Sequence, residues 1–328
     1  MLRRPVIIDT DPGVDDTIAI MLANAHPELD IKALTPVTGN VPYKYTSENA
    51  LRLVKYLGMD CKVAQGAEKP LFITSEDAGD IHGKGGLGGY ELPASDKSFD
   101  GYAWDIIKEE AVKANGELEI ITLGPLTNVA ITFLRYPEIK PLIKRIICMG
   151  GSQYDGNVTP KAEFNIWVDP DACDIVFRSG VPIVMCGLDG TEYAYLTIDE
   201  LKGLQGRDTQ IKELFDHIIS FMIGRREKAG EDDKLQTIYD AITVAYVLDP
   251  SIGKTEKHSV LVETKGINKG WTIIDRRNKD NNPLNVEVLT WADREKFRAM
   301  LEEMLEFKPI WADFFPKKLS SKLQSTTQ

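Results

Sequence analysis

Four aspartates occur within eight residues close to the start of the chain, immediately after a short apolar run. They are Asp9, Asp11, Asp15 and Asp16 in the segment VIIDTDPGVDD, residues 6–16. One helix cap would account for one aspartate and not for four. An EF-hand loop counted from Asp9 would need a bidentate glutamate where the chain has Ile20. The segment therefore indicates a site in which several carboxylates act together.

A glycine-rich segment, GDIHGKGGLGG at residues 79–89, is a second candidate for chemistry. Its glycine spacing is one residue too short for a phosphate-binding loop, and Gly85 stands where Ser or Thr would bind magnesium. It is not a dinucleotide fingerprint either, because no strand leads directly into it and no helix follows. Two interpretations remain, a surface loop and a loop that presents His82 to a ligand.

Short apolar, β-branched runs alternate with longer amphipathic stretches. The runs predict strands that are buried on both faces: PVIID, LDIKALTPV, LEIITL, RIICMGG and VPIVMCGLD. Helical spacing and cap residues predict helices at residues 15–25, 43–57, 103–115, 126–136 and 170–179. This order predicts an α/β fold with an open, mainly parallel, Rossmann-like sheet flanked by helices.

The remainder of the chain predicts mostly helices over residues 190–250 and three further short strands over residues 258–290. A closing helix is predicted in DREKFRAMLEEMLEFK, residues 293–308. No change in composition marks a boundary between domains. We therefore expect a single domain over residues 1–315, followed by a polar tail at residues 316–328.

Polar residues follow the ends of the predicted strands. Ligands of open parallel sheets bind beyond the carboxyl ends of the strands. The aspartate cluster follows the first strand, and Thr38, Gly39 and Asn40 follow the second. The segment GPLTN follows the third, and Gly150 and Gly151 follow the fourth. Carboxylates and carbonyl groups should therefore converge at one edge of the sheet.

The composition excludes several classes of partner. The chain has a formal charge of −11 and only 39 Lys and Arg residues, whereas polyanions are bound by clustered cations. We therefore expect neither nucleic acid nor a membrane as a partner. No apolar segment is long enough for a signal peptide or a membrane span, which favours a cytoplasmic protein. The four cysteines lack CxxC spacing and are expected to be reduced.

Further motifs follow the aspartate cluster along the chain. They are TGN at residues 38–40, GPLTN at 124–128, MGG at 149–151, GN and AEFN within 156–165, GLD at 187–189 and YDAITVAYVLDP at 239–250. Together they resemble the motifs of nucleoside hydrolases, in particular the inosine-uridine-preferring type, over nearly the whole chain. The resemblance implies calcium-dependent hydrolysis of the N-glycosidic bond of ribonucleosides to ribose and free base.

The resemblance also implies the ligands of one Ca²⁺ ion. They are the carboxylates of Asp11, Asp16 and Asp240 and the backbone carbonyl of Leu123. Calcium takes six to eight oxygen ligands, so positions remain for water and two vicinal hydroxyls of a ribose. By the same resemblance, the metal-bound water is the nucleophile and Asp11 is its general base.

Other polar residues would then surround the sugar. The resemblance implies that the ribose diol is bound by Asp15, Asn40 and Asn165, the 5′-hydroxyl by Asn157 and Glu163, and the faces of the sugar by Met149 and Phe164. Carboxylates close to the ring would stabilise the positive charge that develops as the glycosidic bond breaks. An acidic pocket also disfavours a 5′-phosphate, so we expect nucleosides as substrates.

Tyr239 departs from the inosine-uridine pattern, which usually has histidine directly before the last metal aspartate. A tyrosine hydroxyl with a pKa of about 10 donates a hydrogen bond at neutral pH but is a weaker acid than histidine. Tyr239 and His82 are the candidates for contacting and protonating the leaving base, and the base preference stays open. The charged segment 225–234 is either a solvated helix end or a flap over the base.

Two other functions are compatible with the motifs. The strand followed by Asp-x-Asp is similar to the first motif of haloacid-dehalogenase phosphotransferases, although Pro12 and Gly13 follow it awkwardly. A catalytically silent relative that only binds ribose is the other alternative. The resemblance implies a small ribonucleoside as the partner and a homotetramer or homodimer as the assembly.

Overall fold

A sheet of nine strands forms the centre of the described structure. The computed structural model describes residues 3–74, 76–207, 210–230, 234–278 and 281–307. The strands are β1 (Arg4–Thr10), β2 (Leu29–Pro36), β3 (Lys62–Val63), β4 (Leu118–Thr122), β5 (Ile143–Met149), β6 (Ile183–Cys186), β7 (Leu196–Thr197), β8 (Leu235–Gln236), β9 (Gly253–Val262), β10 (Thr272–Asp275) and β11 (Val286–Ala292). Of these, β7 and β8 form a separate antiparallel pair.

The strand order of the main sheet is β10-β9-β11-β6-β5-β4-β1-β2-β3. Every pairing from β11 to β3 is parallel. Among the strands of this sheet, β9 alone runs in the opposite direction to the others, so its pairings with β10 and β11 are antiparallel. The prediction of an open, mainly parallel sheet is confirmed, and the three strands predicted near the C-terminus form its β10-β9-β11 edge.

Helices cover both faces of the sheet. They are α1 (Val14–Ala25), α2 (Tyr43–Tyr56), α3 (Gly79–His82), α4 (Ala103–Ala114), α5 (Thr127–Arg135), α6 (Phe164–Val168), α7 (Pro170–Phe177), α8 (Leu188–Thr191), α9 (Ile198–Gly203), α10 (Gln210–Ala229), α11 (Tyr239–Leu248) and α12 (Arg294–Glu306), with 3-10 turns at Pro137–Leu142, Glu192–Ala194 and Pro250–Ile252. The five helices predicted in the first half and the closing helix are all present. None of the helices in the described part of the chain combines the length and the apolar character needed to cross a membrane.

Local sequence explains several helix ends. Asp169 caps α7 by accepting a hydrogen bond from the Ala172 N–H at 3.1 Å, and Pro170 occupies the first helical position. Helix α4 ends at Asn115, which has a φ of 46°. Asparagine tolerates this left-handed conformation better than most residues, so the helix stops there.

Strand β1 shows why the sheet needs helices on both faces. Val6 and Ile8 are fully buried in a core cluster that includes Ile18 of α1 and Ala241 of α11. Ile7 points to the opposite face, into a second cluster with α4 and α5. Successive side chains of a strand alternate between faces, so a continuous apolar run is stable only where both faces are covered.

One predicted strand differs from the structure more than the others do in its bounds. VPIVMCGLD was predicted as a strand through its last residue, but β6 ends at Cys186 and α8 begins at Leu188. The chain leaves the sheet at Gly187, where a Cβ atom would lie 2.7 Å from the carbonyl oxygen of Gly151. The Leu188 N–H donates to that same carbonyl at 3.0 Å, which fixes the turn into α8.

Some predictions fall outside the described residues. These are the polar tail at residues 316–328 and residues 231–233 of the charged segment. Residues 225–229 of the charged segment form the last turns of α10, which ends at Ala229. Glu227 and Lys228 are exposed there. This favours the solvated helix end. The single domain over residues 1–315 stays a prediction.

Glu119 ties three parallel strands together at the edge of the sheet opposite the aspartate cluster. It lies on β4 and is 1% exposed, and its carboxylate accepts bonds from Arg4 of β1 at 3.0 Å and Arg145 of β5 at 2.8 Å. Arg4 also donates to the Val247 carbonyl at 2.8 Å, so helix α11 joins the same group. Removing the carboxylate would leave two guanidinium groups without their buried partner.

We predict that Glu119→Ala lowers the free energy of unfolding by about 3 kcal/mol, the range measured when one partner of a buried ion pair is removed. Urea denaturation measures the change. The matched control is Glu117→Ala, because Glu117 is exposed, directly precedes β4 and pairs with Lys144 of β5 at 2.8 Å. Its loss should cost less than about 1 kcal/mol. Similar losses for both variants would contradict the prediction.

Candidate active site

Asp16 is the best-anchored carboxylate of the aspartate cluster. Its Oδ1 accepts hydrogen bonds from Thr10 Oγ1 at 2.5 Å and from the Asp11 N–H at 3.2 Å. Its Oδ2 accepts from the Gly13 N–H at 3.0 Å and from Asn40 Nδ2 at 2.8 Å. Asp16 lies in the first turn of α1, where the helix dipole also favours a negative charge. Four donors therefore fix its orientation.

Asp11 lies between the loops that follow β2 and β4. Its Oδ2 accepts a hydrogen bond from the Asn40 N–H at 2.7 Å, whereas its buried Oδ1 has no hydrogen-bond partner. A Cβ atom on Gly39 would lie 1.9 Å from Asp11 Oδ2, and one on Gly124 would lie 2.3 Å from Oδ1. Glycine at both positions therefore makes room for the carboxylate.

Three carboxylates approach one another closely enough to share a cation. Oxygen atoms of Asp15, Asp16 and Asp240 all lie within 4.8 Å of one another. Asp240 comes from the first turn of α11, far along the chain from the other two. The resemblance implied Asp11 as a metal ligand, but Asp11 is not in this group. Asp15, which the resemblance assigned to the ribose, is a member of the group. The individual metal ligands stay a prediction.

Burial and mutual repulsion perturb these carboxyl groups. Burial, followed by the charge of Asp16, raises the pKa of Asp11 well above its usual range. Burial likewise raises the pKa of Asp240, with the charges of Asp15, Asp16 and Asp11 adding to the effect. The pKa of Asp15 is raised by burial to about 6. Burial is the main cause for all three carboxyl groups, and for Asp11 and Asp240 the neighbouring negative charges add to it. A bound cation would offset both effects.

The oxygen atoms at this edge fit a hard cation such as Ca²⁺. Asp11 Oδ1 and Asp15 Oδ1 are buried and accept no hydrogen bond. The Leu123 carbonyl accepts one bond, from Asn165 Nδ2 at 2.7 Å, which leaves its second lone pair. The four donors on Asp16 use all of its lone pairs, so a cation would have to replace at least one of them. The cluster offers only oxygen atoms, as calcium prefers.

Glu163 and Asn165 form a second polar group beside the carboxylates. Glu163 caps α6, with Oε1 accepting from the Asn165 N–H at 2.9 Å and Oε2 from the Gly151 N–H at 2.9 Å. Burial raises the pKa of Glu163 to about 7. Asn165 is buried and donates to the Leu123 and Met149 carbonyls at 2.7 and 3.3 Å. The ends of β4 and β5 thus hold the start of α6.

The remaining residues predicted to contact the sugar lie around this helix start. Met149 is buried, and its sulfur accepts from Asn165 Nδ2 at 3.2 Å. Asn157 is exposed, and its Oδ1 accepts from the Phe164 N–H at 2.9 Å. Phe164 is half-buried. The segment AEFN leads into α6, which begins at Phe164.

His82 is buried beside the first turn of α1. Its Nδ1 accepts a hydrogen bond from the Val14 N–H at 3.3 Å and lies 3.7 Å from Asp15 Oδ1. Burial lowers the pKa of His82 to about 4, and the charge of Arg225 acts in the same direction, against the charge of Asp16. With Nδ1 as acceptor, the neutral ring carries its proton on Nε2. The glycine-rich segment thus brings a neutral imidazole to the carboxylate cluster.

Helix α10 supports the segment that carries His82. The Gly88 N–H donates to the His82 carbonyl at 2.9 Å, which closes the loop. Gly88 has a φ of 60°, and a Cβ atom there would lie 2.5 Å from the ring of Phe221. His217 Nε2 lies 3.0 Å from the Gly88 carbonyl oxygen. The loop therefore packs against α10 through Phe221 and His217.

Tyr239 opens α11 directly before Asp240. Its side chain is partly buried, and burial raises its pKa, with further contributions from Glu192 and Asp15. Its hydroxyl donates to Glu192 Oε1 at 3.5 Å. Sequence reasoning missed Glu192, because it follows the GLD motif in a short turn and matches no motif of its own.

Asp9 is a second residue whose role the sequence did not indicate. It is fully buried, and its Oδ2 accepts from Thr35 Oγ1 at 2.5 Å and Asn128 Nδ2 at 2.8 Å. Burial raises the pKa of Asp9 to about 7. Asn128 Oδ1 in turn accepts from the Ala67 N–H at 2.8 Å. Asp9 therefore links β1, β2 and α5 beneath the site. The sequence indicated Asp9 only as one member of the aspartate cluster.

Comparison with known proteins gives a consistent result. The family model described as "Inosine-uridine preferring nucleoside hydrolase" matches residues 6–299. The non-specific ribonucleoside hydrolase RihC of Escherichia coli O1:K1 is 37% identical over 309 residues, which are 93% of this chain and 99% of RihC. RihC of Shigella flexneri serotype 5b is 36% identical over 313 residues, 94% of this chain and all of RihC.

Solved structures agree with this result. A plant nucleoside hydrolase has a TM-score of 0.87 and 34% identity, and the match covers 93% of this chain and 99% of the plant chain. A purine-preferring ribonucleoside hydrolase from Gardnerella vaginalis has a TM-score of 0.86 and 32% identity, with 92% and 98% of the two chains covered. The chain therefore belongs to the inosine-uridine preferring nucleoside hydrolase family.

Proposed function

We propose that this protein hydrolyses the N-glycosidic bond of ribonucleosides of the inosine and uridine type, with Ca²⁺ as its cofactor. The observation that carries the proposal is the convergence of Asp11, Asp15, Asp16 and Asp240 at one edge of the sheet, in a chain of this family. Carboxylates so placed suit a reaction in which the sugar ring becomes positively charged. The name RihC describes a non-specific ribonucleoside hydrolase, which supports a broad base preference.

Asp11 is the proposed general base. Its buried Oδ1 has no hydrogen-bond partner and is therefore free to accept a proton from a water molecule. The Asn40 N–H and the neighbouring glycines hold the carboxylate in one position. Burial and the charges of Asp16 and Asp15 raise its proton affinity in the absence of a cation. A carboxylate that is fixed through one oxygen and open at the other is suited to general-base catalysis.

Asp11, Asp16, Asp240 and the Leu123 carbonyl are the proposed holders of the cation, with Asp15 close enough to take part. A bound divalent cation would supply positive charge that orients vicinal hydroxyls and lowers the pKa of adjacent water. The residues of the chain perform the other tasks. Asn40 and Asn165 already contact the carboxylates and the Leu123 carbonyl, so their amide groups are held at the place proposed for the diol.

The proposed 5′-hydroxyl site lies at the start of α6. Glu163 is fixed by backbone N–H groups, and Asn157 is fixed through the Phe164 N–H. Met149 and Phe164 supply apolar surface for the ring. His82, with its proton on Nε2, and Tyr239 are the proposed contacts of the leaving base. A cytoplasmic location and an assembly of two or four chains stay predictions.

The function is tested by incubating the Ca²⁺-loaded protein with uridine or inosine in phosphate-free buffer and measuring free base and ribose. We expect both products, and 2′-deoxyuridine should be cleaved with a kcat/KM lower by at least about 100-fold, because the polar groups built for the missing hydroxyl lose their partner. A phosphotransferase or a silent ribose-binding protein would release no base. Equal kcat/KM for uridine and 2′-deoxyuridine would contradict the proposed diol site.

Calcium should stabilise the metal-free protein, and more so at pH 7.5 than at pH 5. The pKa of Asp15 rises from 3.8 to about 6 on folding, so the folded cluster keeps protons that the unfolded chain has lost. This contribution favours folding at low pH and disappears as pH rises through about 6. A cation that binds the ionised carboxylates should compensate for this loss of stability at high pH.

At pH 7.5 and 100 times the dissociation constant, Ca²⁺ should add about 2.7 kcal/mol, or roughly 5 °C in Tm. Thermal unfolding with and without a chelator measures the shift, and metal analysis should find about one Ca²⁺ per chain. Mg²⁺ is the control cation and should shift Tm less, because it demands six ligands in a strict octahedron. Preferential binding of Zn²⁺, or an equal shift at both pH values, would contradict this prediction.

Asp11→Asn should lower kcat by at least the roughly 10² to 10⁴-fold that a general base contributes. The asparagine amide keeps the size of the side chain but cannot take a proton. Steady-state kinetics on uridine give kcat, and a calcium titration followed by Tm shows whether the variant still binds the ion. The control is Asp171→Asn in the first turn of α7, outside the cluster. A variant that is loaded with calcium and fully active would refute the role of Asp11.

A further inference from the structure

Asn49 joins two parts of the site that are far apart in the sequence. It lies on α2 and is 6% exposed, and its Nδ2 donates to the Pro12 carbonyl at 3.0 Å and to the Gly85 carbonyl at 2.8 Å. Pro12 belongs to the aspartate segment, residues 6–16, and Gly85 belongs to the glycine-rich segment, residues 79–89. A side-chain amide nitrogen has two hydrogens, so this one buried group satisfies both carbonyls.

The glycine-rich segment needs a contact of this kind from outside itself. Five of its glycines have a positive φ, namely Gly83, Gly85, Gly86, Gly88 and Gly89. Glycine loses more conformational freedom on folding than any other residue, so the position of the segment depends on what holds it. Gly86 lies so close to the aspartate segment that a Cβ atom there would be 3.1 Å from the Pro12 carbonyl oxygen. Asn49 donates its two hydrogen bonds at this close approach.

The same approach determines where the His82 ring lies. A Cβ atom on Gly13 would be 2.4 Å from His82 Nδ1, so the ring lies directly against the backbone of the aspartate segment. The Val14 N–H donates to that nitrogen at 3.3 Å, which is a long and therefore weak hydrogen bond. The two bonds from Asn49 are shorter. They therefore supply the stronger attachment between the two segments.

Loss of the Asn49 amide should displace the glycine-rich segment and not the carboxylates. The aspartate segment keeps other bonds, because the N–H groups of Asp11 and Gly13 donate to the Asp16 carboxylate at 3.2 and 3.0 Å. Asn40 Nδ2 also donates to the Asp11 carbonyl at 3.2 Å. Gly85, in contrast, is partly exposed, so its carbonyl is able to turn to water. The segment that carries His82 would then move away from the cluster.

We propose that Asn49 is a positioning residue that holds His82 against the carboxylate cluster, where the imidazole contacts the departing base, and this inference rests on the function proposed above. Asn49 acts through the glycine-rich segment and takes no part in the bond breaking. The residues proposed for the cation and the ribose are held by other bonds. Asn49 should therefore affect the departure of the base and neither the binding of the cation nor that of the sugar.

Kinetics on two kinds of substrate test this role. Asn49→Leu keeps the approximate size of the side chain but has no donor, and it should lower kcat on uridine about tenfold, the effect of losing one hydrogen bond to the leaving group. On p-nitrophenyl riboside, whose leaving group departs as a stable anion, kcat should stay within about twofold of the parent enzyme. In a His82→Ala background, Asn49→Leu should lower kcat on uridine no further, because both residues serve one contact. A calcium titration followed by Tm should give the parent dissociation constant.

Amide hydrogen exchange tests the position of the segment without any catalysis. In Ca²⁺-loaded Asn49→Leu, peptides from residues 79–89 should exchange at least about tenfold faster than in the parent, because the segment opens more often. Peptides from β1 and β4 should exchange as in the parent. Asn49→Ser should show the same pattern, since a hydroxyl has one hydrogen and cannot serve both carbonyls. It replaces Asn49→Leu if the leucine variant does not fold.

Asn24→Leu serves as the control, because Asn24 Nδ2 also donates to a backbone carbonyl, that of Leu57 at 3.2 Å, but near the other end of α1. It should retain the parent kcat on both substrates and the parent exchange of residues 79–89. Equal losses of Asn49→Leu on uridine and p-nitrophenyl riboside would overturn the proposal. So would unchanged kcat on uridine, unchanged exchange of residues 79–89, or a double variant slower than His82→Ala alone. If the parent enzyme cleaved neither substrate, the proposed function would fail, and the exchange result would still decide whether Asn49 holds the segment.

Discussion

The anchoring of Asp16 by four hydrogen-bond donors is the interaction on which the arrangement of the site depends. Buried carboxylates that lie close together repel one another and lose hydration, so each needs donors or a cation. Thr10 and the Asp11 N–H approach from the end of β1, and Asn40 approaches from the loop after β2. Because β1 and β2 are parallel neighbours, both loops begin at the same edge of the sheet. The pairing of these two strands therefore sets the position of the first carboxylate, and the others are placed relative to it.

The strand order explains the position of Asp11 in the same way. Strand β1 lies between β2 and β4, so the residues that follow those strands flank the Asp11 side chain. Gly39 and Gly124 approach it more closely than any Cβ atom would allow. Farther along the sheet, the end of β5 contributes Met149, which contacts Asn165. The order β5-β4-β1-β2 thus places the amides that we propose to bind the sugar beside the carboxylates, although they are widely separated in the sequence.

The features of the site that depend on strand ends could be predicted from the sequence. A buried parallel strand shows a continuous apolar run, and the polar residues that follow it must lie at the carboxyl edge, so the neighbourhood of Asp11, Asn40 and Leu123 could be predicted. The partners of individual oxygen atoms could not. Asp15 and Asp11 belong to one short motif, and only the turn into α1 decides that Asp15 points to Asp240. The strand predicted to continue past Gly187 failed for a similar reason, since a close approach to Gly151 redirects the chain there.

The two proposed halves of the nucleoside site belong to parts of the protein that are built differently. The residues proposed for the sugar follow the ends of hydrogen-bonded strands, where backbone pairing fixes their positions. The residues proposed for the base, His82 and Tyr239, lie on α3 and α11. These segments are held to the sheet by side-chain packing, such as that of Phe221 against Gly88. Periodicity and strand-end reasoning carry no information about such contacts, because the residues come from separate helices and share no motif. The positions of the carboxylates are consequently determined by the sheet, whereas the positions of the residues proposed to contact the base depend on how a few helices pack beside it.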